Sequence, residues 1–148
     1  HVRFKHVLEV RGADGPPRGF ELAPAAFWTG LLASENTKYE ALEIVKTWTI
    51  AERKHLNKSV SKINLDQEGP AGKTIRQWIK TFSSLSIKGL NERADFFGIE
   101  NESKFLEPFV NDVLSKGPKS IQSQAAYKAS GLSIVDFLQQ EHQLNPLN

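Results

Sequence analysis

The chain reads as mainly α: one N-terminal β-strand over 1–11, followed by about six packed helices across 24–140. Three observations predict this. Period-two alternation is confined to the opening residues, where Val2, Phe4, His6, Leu8 and Val10 fall on one face of an extended chain and Arg3, Lys5, Val7, Glu9 and Arg11 on the other. Beyond it, apolar residues recur at spacings of three and four behind capping residues. Glycine and proline punctuate the intervals between these runs.

Taken in order, the strand breaks into the Gly15–Gly19 loop, and Pro24 then suits the first turn of a short apolar helix carrying Ala25, Phe27, Trp28, Leu31 and Leu32. That helix is expected to end near Ser34. Thr37 with Glu40 has the spacing of a capping box ahead of Ala41, Leu42, Val45 and Trp48, and Thr49 with Glu52 repeats it ahead of Leu56 and Val60. Gly69, Pro70 and Gly72 mark a loop. Thr74 and Gln77 then open the longest helix, with Ile75, Trp78, Ile79, Phe82, Leu85 and Gly89 on its apolar side. Asn101–Ser103 is expected to start a helix carrying Leu106, Phe109, Val110 and Val113, which Gly117-Pro118 stops. Ser120 is placed as the cap of the next helix, Gly131 as its end, and Ser133–Gln140 as a last amphipathic piece. No repeat or linker divides the 148 residues, so a single domain is expected.

Composition excludes several function classes. There is no cysteine, which removes disulfides, thiolate metal sites and cysteine nucleophiles and favours a cytoplasmic setting. No apolar run approaches the roughly 18–20 residues of a membrane span, so no membrane partner is expected. Basic and acidic residues, 19 against 17, are well mixed along the chain, which argues against nucleic acid. There is also no methionine and the chain opens at His1, so it is expected to be a segment of something longer. His1, His6, His55 and His142 lack metal-ligand spacing, and Trp28, Trp48 and Trp78 sit where packing calls for them.

Chemistry concentrates in the first segment. Glu9 and Arg11 stand two residues apart in an extended run, so both side chains project to one side. Taken alone, such a pair is usually a solvated polar face with a weak cross-strand partner; the same geometry can also address a phosphate and its metal together. Arg3 and Lys5 share that face. Asp14, between Gly12 and Gly15, has the character of a turn residue.

The run "LEVRGADGPPRGFELAPAAFWTGLL" resembles a stretch of plant and proteobacterial glutamate-cysteine ligases that reads approximately L-E-M-R-G-A-D-G-G-P, then L-P-A-F-W-V-G-L-L. "ALEIVKTWTIAERKHL" is similar to the family's helix pair joined by W-T-x-E-E-R, and "GKTIRQWIKTFSSLSIKGLNERA" to its long helix ending in G-L-x-R-R. "FLEPFVNDVLSKGPKSIQSQAAYK" resembles its F-L-x-P-L-x-E-x-V-x-x-G-x-x-P-A-E segment. Two stretches depart from the pattern: Gly-Pro-Pro-Arg at 15–18 replaces Gly-Gly-Pro-Trp, and Ala33-Ser34 stands where Tyr-Asp is common.

The resemblance implies the C-terminal part of an α+β ligase with an antiparallel active-site sheet, to which 1–11 would give one strand. It implies an enzyme that joins the glutamate side-chain carboxylate to the cysteine amine through an acyl phosphate, in the first step of glutathione synthesis. Glu9 becomes a Mg2+ ligand and Arg11 a catalytic contact to the ATP phosphates. Glutamate, cysteine and ATP are then the substrates, Mg2+ the cofactor and the missing N-terminal half of the ligase the partner, with the isolated segment inactive. A non-catalytic helical interaction module is the alternative that the same alternation and caps would serve.

Overall fold

The computed structural model describes residues 2–4, 8–10, 15–59, 61 and 64–141, the strand residues 2–9 by backbone alone. Two short strands, β1 (Val2–Phe4) and β2 (Leu8–Val10), pair antiparallel with Val2 opposite Val10, Arg3 opposite Glu9 and Phe4 opposite Leu8. Seven α-helices follow among the described residues: α1 (Ala23–Ala33), α2 (Glu35–Lys46), α3 (Ile50–Ser59), α4 (Ile75–Phe97), α5 (Glu107–Lys116), α6 (Lys119–Ser130) and α7 (Ile134–Glu141).

This corrects the expected fold class. There is no single strand over 1–11, the helices number seven instead of about six, and no larger antiparallel sheet is present among the described residues. A lone extended segment would leave its N–H and C=O groups without partners. Its own two halves are the nearest complementary edges, and each is cut to three residues. The array is helical, with a small ribbon at its start.

Pro24 lies in the first turn of α1, as expected, and the helix ends at Ala33. Ser34 alone separates α1 from α2; its extended backbone turns the chain, and its hydroxyl donates to Glu92 on α4. The capping box expected at Thr37 does not form. Thr37 sits inside α2, fully buried, and its hydroxyl reaches back to the Gly30 carbonyl at 3.0 Å. That carbonyl belongs to the last turn of α1, where no intrahelical donor remains. Thr37 therefore closes the end of α1.

The boxes at Thr49 and Thr74 form as expected. Glu52 N–H donates to Thr49 Oγ1 at 3.2 Å while Thr49 N–H donates to Glu52 at 2.7 Å. Thr74 N–H donates to Gln77 at 2.8 Å and receives the reciprocal bond. With both ends secured, α4 runs 23 residues, about 35 Å. It closes at Gly98, whose φ of +62° is the left-handed conformation glycine adopts freely.

α1 crosses α4 at a pair of glycines. A Cβ on Gly89 would lie 1.8 Å from the Gly30 carbonyl oxygen, and one on Gly30 would lie 2.1 Å from the Ser86 carbonyl oxygen. Ser86 Oγ adds a 2.8 Å bond to the Phe27 carbonyl. Beside the crossing, Ala26, Leu90 and Leu106 are buried, with Phe27, Ile87 and Val110 packed around them.

The helix expected to start at Asn101–Ser103 begins instead with a 3-10 turn, Glu102–Phe105, capped by Asn101. Pro108 lies in the first turn of α5, where its missing N–H costs no intrahelical bond. Gly117 and Gly131 stop α5 and α6 where expected, both with positive φ. Pro118, not Ser120, is the residue ahead of α6. Across that break Asp112 receives Lys119 at 2.6 Å, Lys116 at 2.9 Å and Gln122 at 3.0 Å. The hydrogen bond from Lys119 is the main reason its carboxyl is held well below the usual carboxylate range, with Gln122 and Lys116 adding to it.

Two outcomes follow for stability. Gly→Ala inside a helix ordinarily stabilises by up to about 1 kcal/mol, yet Gly89→Ala is expected to destabilise by roughly 2–4 kcal/mol, read by urea unfolding, because α1 and α4 must part. Asp112 has a folded pKa below its ordinary value of about 3.9, so the stability it contributes is complete above that pH and is lost as pH falls below it. Asp112→Asn should cost on the order of 1 kcal/mol at pH 7 and shallow the acid limb of a stability-versus-pH curve.

Candidate active-site segment

The segment singled out for chemistry precedes α1 in the chain. Glu9 lies in β2 with Arg3 opposite it in the register. Arg11, the expected phosphate contact, lies outside the described residues, as do Lys5 and Asp14. The structure therefore places Glu9 by its backbone and leaves the Glu9–Arg11 pairing a sequence expectation.

What it does show is how the stretch just ahead of α1 is tied to the helices. Phe20 N–H donates to the Pro17 carbonyl at 3.0 Å, Gly19 N–H donates to the Glu21 carboxylate at 2.9 Å, and Ala23 N–H donates to the Phe20 carbonyl at 2.9 Å. Gly19 takes φ +87°, so this turn relies on glycine. The Gly19 N–H is the main reason the Glu21 carboxyl sits below its ordinary range. Phe20 packs on Phe109 of α5 with ring centroids 5.3 Å apart, and the Lys119 ammonium lies 5.2 Å from the Phe20 ring centre. The turn after the ribbon is thus pinned to the α5–α6 junction.

Between α1, α2, α3 and α4 lies a groove of about 600 Å³, lined almost wholly by apolar side chains. The three tryptophans line it. Trp78 packs 5.0 Å from Trp48 and 5.7 Å from Phe82, and its indole N–H donates to the Pro70 carbonyl at 2.8 Å. Packing was the expected role, and Trp78 is buried. Trp28 and Trp48 are only half-buried, and the Trp48 N–H has no acceptor among the described residues. Their helical spacing put them on an inward face but could not show that this face stays partly open.

The Pro70–Gly72 turn beside the groove is held from α3. Glu52, having capped its own helix, accepts the Ala71 N–H at 2.7 Å, and Ala71 takes a left-handed φ of +54°. That backbone bond is the first cause of the lowered Glu52 pKa, with Thr49 second.

Among the described residues no three of His, Asp and Glu lie close enough to hold a metal ion. His55 is exposed on α3; the other three histidines lie outside the described residues. No described helix is long and apolar enough to cross a membrane.

Comparison with known proteins supplies the context that the geometry lacks. A model of the family described as Glutamate-cysteine ligase family 2 matches residues 1–117. The chloroplastic glutamate–cysteine ligase of Brassica juncea is 44% identical over 59 residues, which is 40% of this chain and 12% of that protein. Glutamate–cysteine ligase A of Oryza sativa subsp. indica, also chloroplastic, is 36% identical over 92 residues, 62% of this chain and 18% of its own length. The Arabidopsis thaliana protein is 44% identical over 59 residues, 40% of this chain and 11% of its length. The matched stretch is thus less than a fifth of each relative. No solved structure matches. With the family match running unbroken from the ribbon through α5, this chain belongs to glutamate-cysteine ligase family 2.

Proposed function

We propose that the chain is part of an ATP-dependent ligase that joins the side-chain carboxylate of glutamate to the amine of cysteine, the first step of glutathione synthesis. The family match over residues 1–117 carries this reading. In the reaction a glutamate carboxylate oxygen attacks the terminal phosphorus of ATP and ADP leaves. The cysteine amine then attacks the acyl carbon, phosphate departs, and the amine loses a proton.

Both partners in the first step are anions, so the site must gather cations around the terminal phosphate. Arg11 would do so through paired N–H donors, which a lysine cannot reproduce. Glu9 would offer hard oxygens to Mg2+, which when bound neutralises phosphate charge. One carboxylate does not make a magnesium site. The remaining ligands, and the sites for glutamate and cysteine, belong on this reading to the rest of the ligase, and the isolated chain is inactive.

Glu9→Gln and Arg11→Lys are expected to lower ATP- and cysteine-dependent phosphate release by about 100-fold or more in the whole ligase, with the circular dichroism spectrum unchanged. Release at the unmodified rate in both variants would end the assignment.

A further inference from the structure

We infer that the groove between α1, α2, α3 and α4 is a docking surface whose occupant is an apolar ridge from the remainder of the ligase; this rests on the function proposed above. Its walls include Trp28, Leu32, Leu42, Trp48, Ile79 and Phe82. Leu42 is 47% and Leu32 39% exposed, beside the buried Ala41 and Leu31 that line the same groove. Concentrated apolar exposure of this kind marks a surface made to be covered.

Three observations select the occupant. The groove lies wholly within the family-matched residues 1–117, and the relatives carry more than four fifths of their length outside the stretch they share with this chain. By contrast, the exposed Ile134, Val135 and Leu138 of α7 lie beyond the family match. A small molecule of similar volume needs several polar groups to fix its orientation, and among the described residues Lys38 and Ser83 are the only lining side chains with a charge or hydroxyl. A second copy is a poor fit too, because a concave surface on a two-fold axis meets itself and not a ridge. A helix presenting apolar residues at i, i+3, i+4 and i+7 fills such a space.

The absence of cysteine makes an introduced thiol unique within this chain. Leu42→Cys is labelled with a maleimide in the isolated chain and in a chimera where this chain replaces the matched stretch of the Oryza sativa subsp. indica relative, with modification read on the peptide by mass spectrometry. Leu32→Cys is a second probe of the groove, and Lys128→Cys on exposed α6 the reference. Docking is expected to slow labelling of both groove thiols about tenfold or more, equivalent to about 1.4 kcal/mol, and to leave the α6 thiol unchanged. Unslowed groove thiols overturn the inference, and if that chimera still releases phosphate with ATP and cysteine, the ligase function stands without it. Slowed thiols in an inactive chimera uphold the docking and count against the function.

Discussion

The contact between Gly30 and Gly89 is the constraint on which the helical array depends. Where two helices ordinarily keep their axes 8–10 Å apart by side-chain bulk, two facing glycines let backbone meet backbone. A methyl group on either would overlap a carbonyl oxygen of the other helix. The closeness places the Phe27 and Gly30 carbonyls within reach of the Ser86 and Thr37 hydroxyls. Those two hydroxyls are buried by the same approach and satisfied by it. Thr37 brings α2 into the arrangement, and Glu92 grips the one-residue joint at Ser34. Three helices are thereby fixed by one crossing.

The crossing also explains why a groove exists. α1 lies tight against the middle of α4 at Ser86 and Gly89, while the Ile75–Ser83 end of α4 carries Trp78 and Phe82, whose bulk holds neighbours away. At that end α3 is joined through Glu52 to the Pro70–Gly72 turn and through the Ser59 carbonyl, which accepts from Gln67 at 3.1 Å. The space between is walled on four sides and filled from none. Toward the other end of α4, Ala33 and Ser34 face Glu92, Arg93, Phe96 and Phe97, and Phe96 remains 82% exposed.

Much of this was legible in single residues. Thr49 with Glu52 and Thr74 with Gln77 are local devices: partners three residues apart settle the helix start with no tertiary information. Gly98, Gly117 and Gly131 end helices for an equally local reason, although Gly98 was not singled out. Thr37 has the spacing of a cap, and its true role failed to show because the acceptor is a carbonyl of another helix. Asp112 and Lys116 are a readable i, i+4 pair, but Lys119 and Gln122 join only through the Gly117-Pro118 corner. Alternation over the opening residues pointed to one strand where the structure has two, Val2–Phe4 and Leu8–Val10, since the period of a strand carries no mark of where it folds back on itself. In the sequence Gly89 is one more residue at helical spacing on an apolar face. Only the approach of Gly30 makes it indispensable.

The chemistry of the proposed site had a different source. Glu9 and Arg11 gained meaning from the run L-E-V-R-G-A-D-G, not from any physical property of a carboxylate and a guanidinium two residues apart. Their charges cancel. A site that brings a carboxylate up to a nucleotide's polyphosphate needs a clear excess of cations, and a residue pair with no net charge cannot furnish it. The chain as a whole, at a formal +2 with its signs interspersed, does not furnish it either. On the ligase reading, then, the cationic field belongs to the protein beyond this segment, and the helices serve a mechanical purpose. Phe20, packed against Phe109 and Lys119, anchors the turn ahead of α1 to the helices. On the ligase reading, an anchored turn ahead of α1 would help hold an acidic and a basic group near a phosphate that other elements bind.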